Sequence, residues 1–411
     1  MPADGAKKIC ADMPLRITLP VTAKTNQGFI RILDEKGAEV DAFDVAVSPQ
    51  TNVIANAKFS YFPIVTESNV ATIYPRCGVM AGGAKYRVTV DAGAFEGVTN
   101  PIAWSFTTKD APKPGKRPLV VAADGSGDFC TVQGAVDFLP EGSTDAVEIF
   151  IRNGVYQEIV FVTNRHNITF RGEDRKRTVI QYANNDNLNA KGLRKNVYRQ
   201  MFGVDGDGIT IENLTMRNTT RKGGSQAEAL RVDGDRVTLR GCDFYSLQDT
   251  LKMSGRVFIA DCYIEGDVDF IWGFGTCWFT NCEIKSVNGG YVTQIRNTAT
   301  NYGDVFVDCR LTGAPGVSNV PLSRIEVNRF PHSHVAFINC AMGPHIKPQG
   351  WVYTPGTNST ETLRFWEFQT TDLSGKPLDT GSRTNLSRQV TADEAAQMRD
   401  AGHVLRGWKP N

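Results

Sequence analysis

The sequence has neither an excess of charge of one sign nor a long apolar run. Lys and Arg number 45 and Asp and Glu 44, which leaves a formal net charge of +1. Such a chain has no general attraction for nucleic acid or for an anionic membrane surface. No segment approaches the ~18 apolar residues of a membrane-spanning helix, and the first residues lack the apolar core of an export signal. We therefore expect no nucleic-acid or membrane partner. We expect a secreted or periplasmic protein whose export signal has been trimmed, although a cytoplasmic protein would have the same features.

The nine cysteines form no Cys-x-x-Cys pair, so their spacing does not indicate a zinc or thioredoxin-like centre. Five of them belong to a repeated pattern in which a glycine, Asp or Asn precedes the cysteine and an apolar residue follows two positions later. The copies are Gly241-Cys242-Asp243-Phe244, Asp261-Cys262-Tyr263-Ile264, Asn281-Cys282-Glu283-Ile284, Asp308-Cys309-Arg310-Leu311 and Asn339-Cys340-Ala341-Met342.

The first three copies follow one another at a spacing of twenty residues. A period near twenty, with short alternating strands and Gly or Asn at the corners, predicts an all-β fold, a parallel β-helix in which each coil stacks on the one before. The cysteines would then form an inward ladder. We interpret it as core packing, because buried free cysteine behaves as a small hydrophobe; the alternative is a metal string or redox relay.

The first 109 residues have a different pattern, with short strand-like segments at 28–32, 70–74, 86–90 and 103–109 separated by turn residues. This spacing predicts a small immunoglobulin-like β-sandwich at 1–109, followed by a stiff Pro-containing linker at 110–117 and the β-helix at 118–411. Cys10 and Cys77 could pair across the sandwich. Near the C-terminus, Thr391 and the acidic residues after it predict one helix that covers the last coils.

The repeat also places two acidic residues together. Asp249 and Asp269 each lie seven residues after a ladder cysteine, so they should stack at about the 4.8 Å strand spacing. Gln248 precedes the first of them, and Gln226 lies one coil earlier. Two carboxylates that close do not both ionise readily, so one could serve as an acid and the other as a nucleophile or base. The alternative is an ordinary polar ladder at the corner of a β-helix.

Several motifs, in this order and spacing, resemble those of the pectin methylesterases (pectinesterases), a family of right-handed parallel β-helix enzymes. The resemblance covers about residues 119–408. The motifs that carry it are Asp124-Gly125-Ser126-Gly127-Asp128-Phe129, Gly154-Val155-Tyr156-Gln157-Glu158, Gln226-Ala227-Glu228-Ala229-Leu230, Gln248-Asp249-Thr250-Leu251, Asp269-Phe270-Ile271-Trp272-Gly273 and Gly402-His403-Val404-Leu405-Arg406-Gly407-Trp408.

This resemblance implies a role for each polar residue of the column. Asp269 would be the nucleophile that attacks the methyl ester of a methylated galacturonate, and Asp249 the acid that protonates methanol and then the base that activates water. Gln226 and Gln248 would donate to the oxyanion. Arg324 would hold the nucleophile ionised. The substrate would be pectin; no cofactor or metal is implied, and we expect a monomer.

The chain departs from the family at residues that would contact the substrate. Glu326 and Lys252 replace aromatic residues that stack on sugar rings, and Glu228 adds a carboxylate near a site meant for an anionic polymer. Trp272 and Trp351 remain as candidate stacking residues, so sugar stacking should be reduced but not lost. The alternatives are an esterase or thioesterase for another acyl substrate and a non-catalytic carbohydrate-binding β-helix.

Two further groups have more than one interpretation. A basic run at 194–199, together with Lys222, Arg256 and Arg296, could line a groove or form a solvated face. His332, His334 and His345 could be metal ligands, although isolated histidines without paired carboxylates are more often structural or surface residues.

Overall fold

The computed structural model describes residues 2–113, 118–189, 198–354 and 360–410. Part of the predicted linker (114–117) and part of the basic run (194–197) lie outside the described residues. The chain forms two compact units: unit 1 is Met1–Pro140 with Glu148–Tyr156, and unit 2 is Glu141–Val147 with Gln157–Asn411. The domain boundaries drawn from the sequence at 109 and 118 stay a prediction.

Unit 1 begins with short strands whose side chains alternate between buried and exposed, as in Lys85–Val90, where the tyrosine and both valines point inward. Such alternation produces a sheet with one apolar face. The strands are β1 (Ala6–Ile9), β2 (Leu15–Thr18), β3 (Phe29–Asp34), β4 (Glu39–Asp44), β5 (Gln50–Ile54), β6 (Ala57–Tyr61), β7 (Ile64–Glu67), β8 (Val70–Ile73), β9 (Lys85–Val90) and β10 (Ile102–Thr108).

These strands form a five-stranded sheet in the order β1-β10-β9-β3-β4, a three-stranded sheet β2-β8-β7 and the hairpin β5-β6. Residues from both larger sheets, such as Ile32 and Val88 from one and Leu15 and Ile73 from the other, belong to one buried cluster. The four strands predicted from the sequence are confirmed, as β3, β8, β9 and β10. The immunoglobulin-like class of this sandwich stays a prediction.

The sequence left a pairing of Cys10 with Cys77 open, and the structure does not form it: neither cysteine is in a disulfide. Cys77 accepts a hydrogen bond from Asn52 Nδ2 at 3.5 Å, whereas Cys10 packs with Met13 and Cys130. Cys130 directly precedes Thr131, the N-cap of a helix that the sequence did not predict. The elements here are β11 (Leu119–Val121), α1 (Val132–Phe138), β12 (Val147–Ile151) and β13 (Gly154–Gln157).

Unit 2 consists mainly of short strands that follow one another around the coils of a helix. They are β14 (Val160–Val162), β15 (Ile168–Gly172), β16 (Thr178–Tyr182), β17 (Phe202–Val204), β18 (Thr210–Glu212), β19 (Thr215–Asn218), β20 (Leu230–Val232), β21 (Val237–Arg240), β22 (Asp243–Tyr245), β23 (Leu251–Met253), β24 (Arg256–Ala260), β25 (Tyr263–Gly273), β26 (Thr276–Thr280), β27 (Glu283–Ile295), β28 (Asp304–Val307), β29 (Arg310–Gly313), β30 (Ser323–Glu326), β31 (His334–Ile338), β32 (Ala341–Met342), β33 (Trp351–Thr354), β34 (Arg364–Phe368), β35 (Thr371–Asp372) and β36 (Ser387–Gln389).

Three parallel faces result. The first is β15-β18-β21-β24-β26-β28-β31-β34-β36; the second is β16-β19-β22-β25-β27-β29-β32-β35; the third is β14-β17-β20-β23-β25-β27-β30-β33. The long strands β25 and β27 pass through both the second and the third face. This is a parallel β-helix.

The corners explain the residue that precedes each repeat cysteine. Gly241, Asp261, Asn281, Asp308 and Asn339 all have φ between 51° and 59°, the left-handed region that Gly, Asn and Asp adopt most readily. Each places its cysteine inward, and all five ladder cysteines are buried. Burial raises the pKa of the Cys262 thiol well above its usual value, and Cys242 N–H donates to Cys262 Sγ at 3.5 Å. The ladder therefore packs the core, as predicted.

The C-terminal region covers the outside of the first face. The N-cap Thr391 and Glu394 form a capping box at the start of α2 (Ala392–Arg399), and α3 (Ala401–Val404) follows after a break at Asp400. Residues of both helices pack against outward apolar side chains of β26, β28 and β31. The predicted helix is confirmed, although it is divided in two. Among the described residues, no helix has the length and apolar character to cross a membrane.

At another corner, successive coils approach so closely that only glycine fits. A Cβ on Gly255 would lie 2.0 Å from the carbonyl oxygen of Gly234, well inside van der Waals contact. We expect Gly255→Ala to lower the free energy of unfolding by about 1–3 kcal/mol, as other overpacking substitutions do. Urea denaturation would measure this. The control is Gly289→Ala, because a Cβ there meets nothing within 4 Å; equal losses in both variants would contradict the packing argument.

Candidate active site

The register of the third face brings a row of polar residues together. Arg231 pairs with Lys252, Lys252 with Trp272, and Trp272 with Gln294. Thr293 pairs with Ser323, so the next residue, Arg324, is level with Gln294 and continues the row. Because alternate residues of a strand point to opposite faces, these side chains share the outer surface.

Asp249 and Asp269 stand where the chain enters this face, two residues before the paired positions in β23 and β25. The backbone N–H of Asp249 donates to Val268 O at 3.1 Å, so the two aspartates lie on successive coils, as their spacing predicts. Both have left-handed backbone, with φ of 68° and 50°, and both are buried. Buried side chains in sparsely populated conformations are typical of functional sites.

Arg324 holds the carboxylate of Asp269. Its Nε donates to Oδ1 at 3.0 Å and to Oδ2 at 3.1 Å, and its Nη2 also donates to Oδ2. Gln294 Nε2 adds a donor at 3.2 Å. Burial raises the pKa of Asp269, while the hydrogen bonds and charge of Arg324 oppose this rise. The guanidinium therefore favours the ionised carboxylate and fixes its orientation.

Asp249 has a different counterion, which it shares with a third carboxylate. Arg199 Nη2 donates to Asp249 Oδ2 at 2.6 Å, and Arg199 Nε donates to the two oxygens of Glu228 at 2.9 and 3.1 Å. Asp186 lies 3.6 Å from Arg199 Nη1. Burial and the charge of Glu228 raise the pKa of Asp249 well above its usual value, against the opposing effect of Arg199. Asp249 is thus the aspartate that holds a proton more readily.

The two predicted amides stand on neighbouring coils beside the aspartates. Ala227 N–H donates to Gln248 O at 3.1 Å, which places Gln226 next to Gln248. Ser225 Oγ donates to the side-chain oxygen of Gln226 at 2.7 Å. This bond turns the NH₂ group of Gln226 away from the serine. Among the described residues, none accepts a hydrogen bond from that NH₂ group, so it can donate to a ligand.

Two of the predicted substrate-binding residues have other roles. Trp351 is 1% exposed and stacks on Phe365 with a centroid distance of 4.6 Å, so its ring packs the interior and presents no face to a sugar. Glu228 is also 1% exposed and bound by Arg199. Its charge is compensated inside the protein, so the expectation that it faces an anionic polymer is wrong.

The other three predicted substrate-binding residues, Trp272, Lys252 and Glu326, lie on or near the outer row. Trp272 is 7% exposed, with the guanidinium carbons of Arg199 and Arg296 at 5.5 and 4.8 Å from its ring centroid. Lys252 donates to Ser254 Oγ at 2.7 Å and forms an ion pair with Asp233; burial and the charge of Arg231 lower its pKa to about 8.

Glu326 is half-buried and accepts from Arg329 Nη1 at 3.0 Å. Its charge is close enough to raise the pKa of Asp269.

Sequence reasoning missed the exact roles of three residues. The basic run that contains Arg199, together with Arg296, predicts a basic groove, but the sequence does not indicate which side chains these two arginines contact. Gln294 lies 22 residues after Trp272, and this spacing could have indicated it. Two other suggestions do not apply to this site: Arg256 pairs with Asp235, and His334 is fully buried, where its Nδ1 accepts from Gly303 N–H at 2.9 Å.

The fold and site together define a class: a parallel β-helix protein with two adjacent buried carboxyl groups, each bound by a different arginine. Comparison with known proteins specifies the family. The pectinesterase sequence profile matches residues 118–403. "Pectinesterase 31" of Arabidopsis thaliana is 32% identical over 289 residues, 68% of this chain and 89% of that protein. "Pectinesterase 2" of Olea europaea is 30% identical over 329 residues, covering 75% and 85%.

Solved structures agree. "Pectin methylesterase from Carrot" superposes with a TM-score of 0.63 at 28% identity, covering 72% of this chain and 95% of that one. "Pectin methylesterase PemA from Erwinia chrysanthemi" gives a TM-score of 0.59 at 25% identity, covering 73% and 99%. The chain belongs to the pectinesterase family, whose members are carboxylic ester hydrolases. The expected fold class, a right-handed parallel β-helix, is confirmed.

The arginine between two carboxylates permits a direct test of the buried charges. Arg199→Met would leave the buried carboxyl groups of Glu228 and Asp249 without the guanidinium that hydrogen-bonds to both, so we expect a loss of about 3–5 kcal/mol in the free energy of unfolding at neutral pH. Chemical denaturation would measure it. Arg329→Met is the matched control, since the pair Arg329–Glu326 is 66% and 42% exposed and should contribute less than about 1 kcal/mol. A small effect at Arg199 would show that neither buried carboxyl group depends on the guanidinium.

Proposed function

We propose that this protein removes methyl esters from pectin, with Asp269 as the nucleophile and Asp249 as the acid and then the base. The observation that carries the proposal is the unequal treatment of two adjacent aspartates. Arg324 favours the ionised form of Asp269, whereas burial and Glu228 favour the protonated form of Asp249. A nucleophile beside a proton donor is the pair that ester cleavage requires.

In the first step an ionised oxygen of Asp269 attacks the ester carbonyl carbon of a methylated galacturonate. The amide NH₂ groups of Gln226 and Gln248 donate to the oxyanion that forms. The bond to the methoxy group then breaks, and the proton of Asp249 goes to the departing oxygen. Methanol leaves, and an acyl–Asp269 anhydride remains.

In the second step Asp249, now ionised, takes a proton from water while the water oxygen attacks the sugar's acyl carbon. The anhydride bond breaks and returns the carboxylate to Asp269, while Asp249 keeps the proton that it took from water. The product carboxyl group loses its own proton to solvent. No other reactant is needed for the balance.

The outer row offers contacts for a polymer next to this centre. Phe274 is 43% exposed and lies edge-on to Trp272 and Phe330, at centroid distances of 6.4 and 6.3 Å. An exposed ring here could receive a sugar ring in place of the aromatics that the chain lacks. A related structure, 25% identical with a TM-score of 0.61, is titled "Crystal structure of pectin methylesterase in complex with hexasaccharide VII", which supports a polysaccharide substrate. Secretion and a monomeric state stay predictions.

A second candidate function is hydrolysis of another acyl ester or thioester. Lys252 stands where an aromatic residue would stack on a sugar, and it forms an ion pair with Asp233. The exposed ring of Phe274 would also suit an apolar acyl group. The non-catalytic alternative is less well supported, because every polar residue of the predicted column is present at the site.

The proposal predicts methanol release from methylated pectin by the wild-type protein and its loss in Asp269→Asn. An amide cannot serve as the nucleophile, yet it keeps the side chain's shape. Initial rates should be measured on pectins of graded esterification, on p-nitrophenyl acyl esters and on an acyl-CoA. More than a few per cent of wild-type activity in purified, folded Asp269→Asn would refute the nucleophile. Turnover of acyl-CoA without methanol from any pectin would favour the second function.

The buried carboxyl group of Asp249 should control how the rate of ester hydrolysis depends on pH. Protonated Asp249 is active in the first step, so its pKa sets the basic limb of the rate profile. Glu228→Gln removes a negative charge that raises this pKa, and we expect the basic limb to move to lower pH. The control is Glu326→Gln, which removes a charge that raises the pKa of Asp269 and should act mainly on the acidic limb. An unchanged basic limb in active Glu228→Gln would contradict the effect of the Glu228 charge on Asp249.

A further inference from the structure

A second cluster of reactive side chains lies in unit 1, outside the active site. Among the residues that the structure describes, Cys10, Asp12 and Cys130 have ligand atoms that all lie within 4.8 Å of one another. Cys10 and Cys130 are both buried and both free. Cys10 directly follows β1, and Cys130 directly precedes Thr131, the N-cap of α1. The two thiols are therefore close in space although 120 residues separate them in the sequence.

The surroundings of the two thiols are asymmetric. Cys10 Sγ lies 3.7 Å from Gly125 O and 3.9 Å from Gly127 O, and Lys109 Nζ donates to the same two carbonyl groups. A hydrogen bond from Cys130, together with the hydrogen bond and charge of Lys109, lowers the pKa of Cys10 against the opposing effects of burial and Asp12. A thiol whose pKa is lowered, next to a second thiol, is the arrangement from which disulfide exchange starts.

Asp12 acts as an anchor for Cys130. Its carboxylate accepts from Cys130 N–H at 3.0 Å, from Thr131 N–H at 2.8 Å and from Thr131 Oγ1 at 2.7 Å. These bonds hold the start of α1 against the segment after β1, so both cysteine backbones are fixed in place. The carboxylate is occupied, and the Lys109 ammonium group disfavours a cation next to Cys10. A disulfide therefore fits this cluster better than a metal ion.

We infer that Cys10 and Cys130 are a disulfide-forming pair that covalently ties β1 to the start of α1. The reaction needs a disulfide donor such as oxidised glutathione. The Cys10 thiolate attacks one sulfur of the donor and releases one glutathione thiolate, and Cys130, on losing its proton, attacks the Cys10 sulfur of the mixed disulfide and releases the second. Two protein thiols become one disulfide as the donor is reduced to two thiols.

The ladder cysteines show why proximity alone is insufficient. Cys242 and Cys262 are also neighbours, but burial raises the pKa of each well above its usual value. Both lie inside the β-helix, where burial outweighs the charge of Arg175 beside Cys242. We expect these thiols to stay reduced under conditions that oxidise the pair in unit 1.

Peptide mapping of the full chain tests the inference. Wild-type protein equilibrated with an excess of oxidised over reduced glutathione would be unfolded in the presence of N-ethylmaleimide, digested and analysed by mass spectrometry. We expect one crosslinked peptide joining Cys10 to Cys130, with the other seven of the nine cysteines alkylated. Alkylation of all nine, or a crosslink between ladder cysteines instead, would overturn the inference.

Thermal unfolding gives an independent readout. Closing so long a loop should raise the melting temperature of oxidised protein over dithiothreitol-treated protein by roughly 5 °C or more. Cys130→Ala should abolish this difference, while Cys77→Ser, outside the pair, should keep it. If Cys130→Ala does not fold, the wild-type map decides alone. Stoichiometric zinc in the purified protein, lost in Cys130→Ala, would replace the disulfide with a metal site.

Discussion

Parallel stacking of the coils in register is the constraint from which the rest of unit 2 follows. Each strand of the third face hydrogen-bonds to the strand about one coil earlier, so a side chain's position is set by its distance from a corner. Asp249 and Asp269 meet because both stand two residues before paired positions, Leu251 and Ile271. A slip of one residue would turn the outer polar row inward and the apolar core outward, at a large cost in buried polar groups.

The corners protect that register. Left-handed residues before each repeat cysteine and glycines such as Gly255, which touch the carbonyl of the preceding coil, leave little freedom for an extra residue or a Cβ. Inside, aromatic rings at equivalent positions stack, with Phe279, Phe306 and Phe337 at centroid distances of 4.3 and 4.8 Å along the series. The same repeat therefore gives both the core and the scaffold on which the site is built.

The site differentiates two chemically identical side chains by their surroundings. Arg324 hydrogen-bonds to Asp269, whereas Arg199 is shared between Asp249 and Glu228. The negative charge of Glu228 offsets much of the effect of Arg199 on the pKa of Asp249. In water the two aspartates would titrate alike. Buried at a common corner, they differ because each faces a different balance of charge and desolvation. The cysteines illustrate the same principle, since Cys10 lies beside Lys109 while the ladder thiols lie among apolar atoms.

Local pattern in the sequence was enough for the coils, the inward cysteines, four strands of the sandwich, the capped C-terminal helix and the meeting of Asp249 with Asp269. These depend on periods of two and about twenty residues and on turn residues, all of which can be counted along the chain. Tertiary structure alone decided that Arg199 joins Glu228 to Asp249, that Trp351 turns inward, and that Cys10 meets Cys130 and not Cys77. These contacts join segments whose separation fits no repeat. They depend on the paths of the intervening loops and on the face of the strand from which each side chain projects. The repeats in the sequence indicate neither.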